Sequence, residues 1–167
     1  MLFDYRMRDL VSQQLEASSG LLIFRNLDHA KAVGLEASAE QVYASAARLR
    51  ASYTWQRARD GAGAPLRASP RHLLKFNGVL PLAGQRARLG GEFQCLSARL
   101  TEHGRVGGYC MSNLTLSSTR LVPGADLSLS VYNLLDRRYA DPAGPAFVQE
   151  ALQREGRSFH AKLAYRF

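Results

Sequence analysis

The sequence predicts an all-β chain, an antiparallel transmembrane β-barrel segment of about eight strands, and three observations carry the prediction. Segments of about ten residues alternate apolar and polar with period two. Tight connections interleave with long polar ones, and the polar side of the alternation is unusually charged, with no amphipathic helix to cover the other side.

The strands can be read in order. In the first, Phe3, Tyr5 and Met7 oppose Asp4, Arg6 and Arg8. In the second, Val33, Leu35, Ala37 and Ala39 oppose Gly34, Glu36, Ser38 and Glu40. The clearest case sets Ala47, Leu49, Ala51, Tyr53 and Trp55 against Arg48, Arg50, Ser52, Thr54 and Gln56. Leu74 and Phe76 oppose Arg71, Lys75 and Asn77, and Ala87, Leu89 and Phe93 oppose Arg86, Arg88, Glu92 and Gln94. Two further strands, around 107–121 and 125–134, carry Leu114 and Leu116, then Leu127, Leu129 and Val131. The last, "RSFHAKLAYRF", alternates Phe159, Ala161, Leu163, Tyr165 and Phe167 with Ser158, His160, Lys162, Ala164 and Arg166.

Tight links fall at "VYAS", "PLAG" and "VPGAD". The short turns fall at one end of the strands, the periplasmic end of such a barrel, and the long connections, at 12–27, 59–70, 99–107 and 135–156, fall at the other, extracellular, end and are the candidates for ligand contact. The one helix-like stretch, "FVQEALQREG" at 147–156, falls inside the last of them and predicts a short helical element.

A soluble sandwich also alternates, but it packs its apolar face on a second layer. A membrane barrel instead turns that face to lipid and lines a watery interior with polar groups. The basic residues Arg48, Arg50, Arg86 and Arg88, with Lys75, Glu36 and Glu40, suit such an interior. Tyr53, Trp55, Tyr109, Tyr132, Tyr165 and Phe167, near strand ends, suit interfacial girdles.

Charge and composition trim the alternatives. The formal charge of the 167-residue chain is +8, which raises the question of nucleic acid. The arginines, however, are spread singly and form no stripe, so no nucleic-acid partner is expected. The longest apolar run is "LLIF", far short of the ~20 residues of a transmembrane helix. "MLFDYRMRD" lacks the features of a signal peptide.

Chemical constellations are not evident in the sequence. His29, His72, His103 and His160 are isolated, and no phosphate loop, nucleophile elbow or paired-carboxylate arrangement occurs; no catalytic residue, metal or cofactor is expected. Cys95 and Cys110 lie equally far from a loop centre between Glu102 and His103, so they could face each other across a hairpin. A disulfide there requires specific geometry and an oxidising compartment; two small lipid-facing side chains are the other reading.

From residue 124 on, "GADLSLSVYNLLDRRYADP" and "EGRSFHAKLAYRF" resemble the carboxyl end of TonB-dependent outer-membrane receptors. In that family a penultimate strand with an N-L-x-D-x-x-Y signature precedes a loop and a closing strand ending on Phe. Asn133, Leu134, Leu135, Asp136, Tyr139 and Phe167 match, and "AVGLEASAE", "LRASYTWQRARD" and "SPRHLLKFNGVLP" resemble earlier barrel strands. Asn133 and Asp136 also have a structural reading, as strand terminators through side-chain to backbone bonds. The resemblance implies a bacterial outer-membrane location and uptake of a scarce small ligand of the iron-chelate, haem or cobalamin class. It also implies outer-membrane lipid and the barrel assembly machinery as partners, with Phe159, Leu163, Tyr165 and Phe167 as the assembly signal. Family receptors have a plug inside about 22 strands. The expectation is therefore that residues 1–167 are the C-terminal part of such a barrel, that plug and signal peptide are absent, and that energy coupling acts only through the missing plug. The alternatives are a self-contained eight-stranded outer-membrane barrel and a soluble basic β-protein binding nucleic acid.

Overall fold

A computed structural model describes residues 1–16, 18–122, 124–144 and 147–166. The strands are β1 (Leu2–Leu15), β2 (Leu22–Val42), β3 (Arg48–Asp60), β4 (His72–Leu82), β5 (Ala87–Leu96), β6 (Arg99–Leu100), β7 (Arg105–Val106), β8 (Tyr109–Val122), β9 (Ala125–Tyr132), β10 (Ala140–Pro142), β11 (Ala151–Gln153) and β12 (Ser158–Tyr165). Eight of them form one antiparallel sheet in the order β1-β2-β3-β4-β5-β8-β9-β12, so every long strand lies beside its neighbour in sequence. The remaining four make two short hairpins, β6–β7 and β10–β11, on the long connections. β1 and β12 are the two edges of the sheet and do not pair with each other.

The register explains the alternation, because residues directly opposite in an antiparallel pair share a face. Leu35, Trp55 and His72 form one cross-strand row, and Ala37, Tyr53, Leu74, Cys95 and Cys110 form the next. Below them run Ala39, Ala51, Phe76, Phe93 and Ser112. Further along, Leu116, Leu129 and Ala161 continue the same face. The opposite face carries Glu40 with Arg50 and Asn77, then Lys75 with Gln94, and Ser128 with Lys162.

A core is nearly absent. Among the described residues only Ala30, Ala47 and Val106 are buried hydrophobics, whereas Phe76, Leu116, Leu129, Phe159 and Leu163 are exposed. The accessible surface is 12098 Å², against about 8,200 Å² for a compact folded chain of this mass. The excess is that of a single-layer sheet with both faces open, and among the described residues no second layer covers the apolar one; a soluble sandwich would have buried it.

Four features depart from the sequence reading. The stretch 147–156 forms no helix: residues 147–150 bend and Ala151–Gln153 pairs with Ala140–Pro142. Val148 is fully exposed, so a helix there would have no surface on which to bury an apolar side, and tertiary pairing overrides propensity. The connection expected at 12–27 shrinks to a short link, because β1 runs to Leu15 and β2 starts at Leu22, with Gln13 opposite Phe24. Arg86 lies in the turn Ala83–Arg86 and not on the sheet wall, its carbonyl accepting a bond from Ser118 Oγ at 2.7 Å. That turn needs left-handed backbone at Ala83, Gly84 and Gln85, which takes Arg86 out of the alternation.

In β1 the sidedness is reversed. Phe3 pairs with Gly34 on the charged face, while Asp4 and Arg6 pair with Val33 and Lys31 on the apolar one. Gly34 explains why Phe3 fits there: a Cβ at this position would lie 2.4 Å from the Phe3 ring and 2.3 Å from the Trp55 carbonyl oxygen. The carbonyl belongs to the ladder and cannot move aside. G34A is expected to cost about 1–3 kcal/mol through overpacking, read as a lower urea midpoint for unfolding of the sheet; an unchanged midpoint would refute this packing.

Candidate functional site

All the long connections lie at one end of the sheet, and three of them, 61–71, 97–108 and 133–157, dock on one another. Arg99, at the start of β6, is the centre of the docking. Its side chain is only 8% exposed and its Nη1 lies 2.8 Å from Asp141 Oδ1, while its Nη2 donates to the Ala140 carbonyl at 3.0 Å. Asp141 also accepts from Arg154 Nε at 2.6 Å. Tyr109 lies under the Arg99 guanidinium, 5.4 Å from ring centroid to Cζ, and packs against Tyr139 at 4.3 Å.

Burial alone would push the Asp141 carboxyl up, but the hydrogen bonds and charges of Arg154 and Arg99 outweigh it and hold its pKa below the usual carboxylate range. A second tie runs through Glu150, which accepts from Thr101 Oγ1 at 2.6 Å and lies 3.0 Å from His103 Nδ1. Those contacts, Thr101 first, lower its pKa as well. Arg67 pairs with Glu102, which joins the 61–71 loop to the β6–β7 hairpin.

The signature residues sit at the root of this cluster. Asn133 is 3% exposed with a left-handed φ of 50°. Its Oδ1 accepts from Arg137 N at 2.8 Å, its Nδ2 donates to the Arg137 carbonyl at 2.9 Å, and its own N–H donates to Asn113 Oδ1 at 2.9 Å. Asp136 accepts from Arg157 N at 2.8 Å. The two side chains therefore end β9 and begin β12, with Leu134 N bonded to the Ser112 carbonyl between them. Tyr139 carries the ring that meets Tyr109, and Leu135 is exposed.

Cys95 and Cys110 are direct cross-strand partners at the base of the 97–108 loop, joined as a disulfide with their Cα atoms 4.0 Å apart. Of the basic residues, Arg48 and Arg50 share the face of Glu40, with Arg48 Nε 3.3 Å from Glu40 Oε1, and Arg88 lies opposite Ser117 on the same face. Phe159, Leu163 and Tyr165 share the apolar face of β12; Phe167 lies outside the described residues. The histidines are dispersed: His72 Nδ1 meets Tyr53 OH at 2.7 Å, and His160 packs edge-on against Tyr132.

A cleft of about 600 Å³ opens between the upper end of β3, the 65–71 segment and the 97–105 loop. Arg57, Arg59, Arg71, Arg105 and His72 line it, together with small and neutral residues, and no carboxylate does. Sequence reasoning missed both this cleft and the Arg99–Asp141–Arg154 centre. Each is assembled from positions tens of residues apart with no local signature.

No family model matches the sequence, and a sequence search of curated proteins finds no match. The three-dimensional comparison does find similar folds: the fold is that of one wall of an outer-membrane receptor barrel. The ferripyoverdine receptor of Pseudomonas aeruginosa superposes with a TM-score of 0.74 at 16% identity, over 98% of this chain and 24% of the receptor. The ferric-catecholate import receptor Fiu of E. coli K12 gives 0.73 at 19% identity, over 99% and 24%. The iron transporter FrpB of Neisseria meningitidis gives 0.73 at 14%, over 99% and 28%. The chain thus spans about a quarter of the length of the structures it matches.

Proposed function

We propose that the chain is the C-terminal barrel wall of a TonB-dependent receptor in a bacterial outer membrane, serving active uptake of a scarce small ligand such as a metal chelate. The observation that carries the reading is the uncovered apolar face, since exposed Phe76, Leu116, Leu129 and Leu163 need lipid against them while the charged face needs water. The self-contained small barrel is less well supported, because closure would require β1 to pair with β12. Further strands of a larger barrel would cover both edges.

In this reading the face of Glu40, Arg48, Arg50, Lys75 and Arg88 lines the lumen, and the docked loops form part of the external vestibule. Ligand contact falls to the loops at 61–71, 97–108 and 133–157, and the basic wall favours an anionic chelate. Transport would be driven through a plug, with this chain supplying wall and vestibule and no catalytic step. The barrel assembly machinery would recognise the closing strand through Phe159, Leu163, Tyr165 and Phe167.

The test is energy-dependent uptake of labelled ligand by cells whose receptor carries this segment, run in parallel with ferric hydroxamates, ferric catecholates, haem, cobalamin and copper. Uptake of one class that stops on collapsing the proton-motive force is the expected result. No energised uptake of any class would overturn it.

A further inference from the structure

The outward continuation of the apolar face is cationic. Along β3 that face presents Leu49, Ala51, Tyr53 and Trp55, and its next two positions are Arg57 and Arg59. Arg59 is directly opposite Lys31, which is directly opposite Arg6, so three cations stand side by side on three adjacent strands. Like charges directly opposite across a sheet are destabilising. Within these rows Asp4 is the one described carboxylate, 3.4 Å from both Lys31 and Arg6. Lys31 and Arg6 remain 51% and 68% exposed, and Arg57 stacks 5.5 Å above Trp55. The carboxylate-free cleft lined by Arg57, Arg59, Arg71 and Arg105 adjoins the row.

We propose that this ridge binds the phosphate groups of an outer-leaflet lipid. Its height on the sheet selects a lipid headgroup over a soluble anion. Trp55 marks the upper limit of the apolar band, as tryptophan does at bilayer interfaces, and Arg57 and Arg59 lie two and four strand residues further on, about 7 and about 13 Å along the strand, which puts them at headgroup level above the acyl chains. The ridge faces away from the Arg48 and Arg50 wall, so a ligand crossing the lumen would not meet it. Bridging phosphates would neutralise the Arg6–Lys31–Arg59 row, whose repulsion Asp4 alone only partly offsets. The proposal rests on the membrane-embedded reading of the apolar face and is independent of import.

The test reconstitutes the full chain in phosphatidylcholine vesicles doped with a bisphosphorylated glucosamine lipid or its dephosphorylated form, and counts the lipids retained on extraction by native mass spectrometry. Selective retention of the phosphorylated form is expected. In the double variant Lys31→Gln/Arg59→Gln it should fall on the order of 30-fold, the effect of removing two cations from an anionic surface. The charge-matched pair Lys75→Gln/Arg88→Gln on the other face should leave it unchanged. Equal retention of both lipids, equal loss in both double variants, displacement of the lipid by millimolar inorganic phosphate, or a chain that stays out of the bilayer would each overturn the proposal. Phosphate-selective retention with no energised uptake would overturn only the import reading.

Discussion

Asp141→Asn is expected to undock the loops. Asp141 is the counter-charge of Arg99, whose side chain is 8% exposed, and of Arg154. The amide would leave the Arg99 guanidinium buried without an anion, and breaking a buried pair from one side costs about 3 kcal/mol or more. Because the loops are held to one another by a few such contacts and not by a core, this cost falls on local opening and not on the sheet. Trypsin cleavage after Arg105 and Arg154 in the folded protein should accelerate on the order of 100-fold, as it tracks the open population. Cleavage at the wild-type rate would show that the centre does not hold the loops.

Acid should act in the same direction. The Asp141 carboxyl is held below its ordinary range, so its contribution is fully present above the unfolded-state value and is lost as pH falls through the lowered folded-state value. The loops should stay docked through mildly acidic conditions and open only below the usual carboxylate range. Glu150, lowered by Thr101 and His103, would act in the same window and the same direction. Opening already at pH 6–7 would contradict this account.

The second large effect is expected from the Cys95–Cys110 bridge. It closes a 15-residue separation at the base of the loop that carries Arg99, and a loop of that length is stabilised by about 3 kcal/mol on the chain-entropy account. Cys95→Ser, or reduction, should leave the sheet paired, since the Cys95–Cys110 row lies within a ladder running from Ala87 to Leu96. The 97–108 loop, in contrast, should exchange its amide hydrogens faster, with Thr101 and Gly104 the most affected. Alkylation before and after reduction, read by mass, checks the bond itself. Two thiols already free in protein taken from an oxidising compartment would refute it.

Much of the sheet was legible because its signal is local. Alternation over Leu49–Gln56 or Ser158–Tyr165 follows from the two-residue repeat of a strand with one apolar and one polar face. Tight turns at "PLAG" and "VPGAD" separate such segments, so all eight long strands could be placed. Residues 12–15 and 22–28 escaped because "SQQL" and "LIFRNLD" show no clean alternation, yet backbone pairing holds them as strands. Helical spacing at 147–156 misled because nothing in the sequence reveals that Leu152 will meet Asp141.

The sequence by itself determined the class of fold, the neighbour-to-neighbour strand order, the end that carries the long loops and, from residue 124 on, the likeness to receptor barrels. These depend on contacts between residues close in the chain. Only the tertiary structure decided the reversed sidedness of β1, the meeting of Arg99, Asp141 and Arg154, the direct opposition of Cys95 and Cys110, and the cationic row across three strands. Each depends on register, and register is a property of a strand pair: a slip of one residue sends every side chain to the other face without altering the alternation that either strand displays alone.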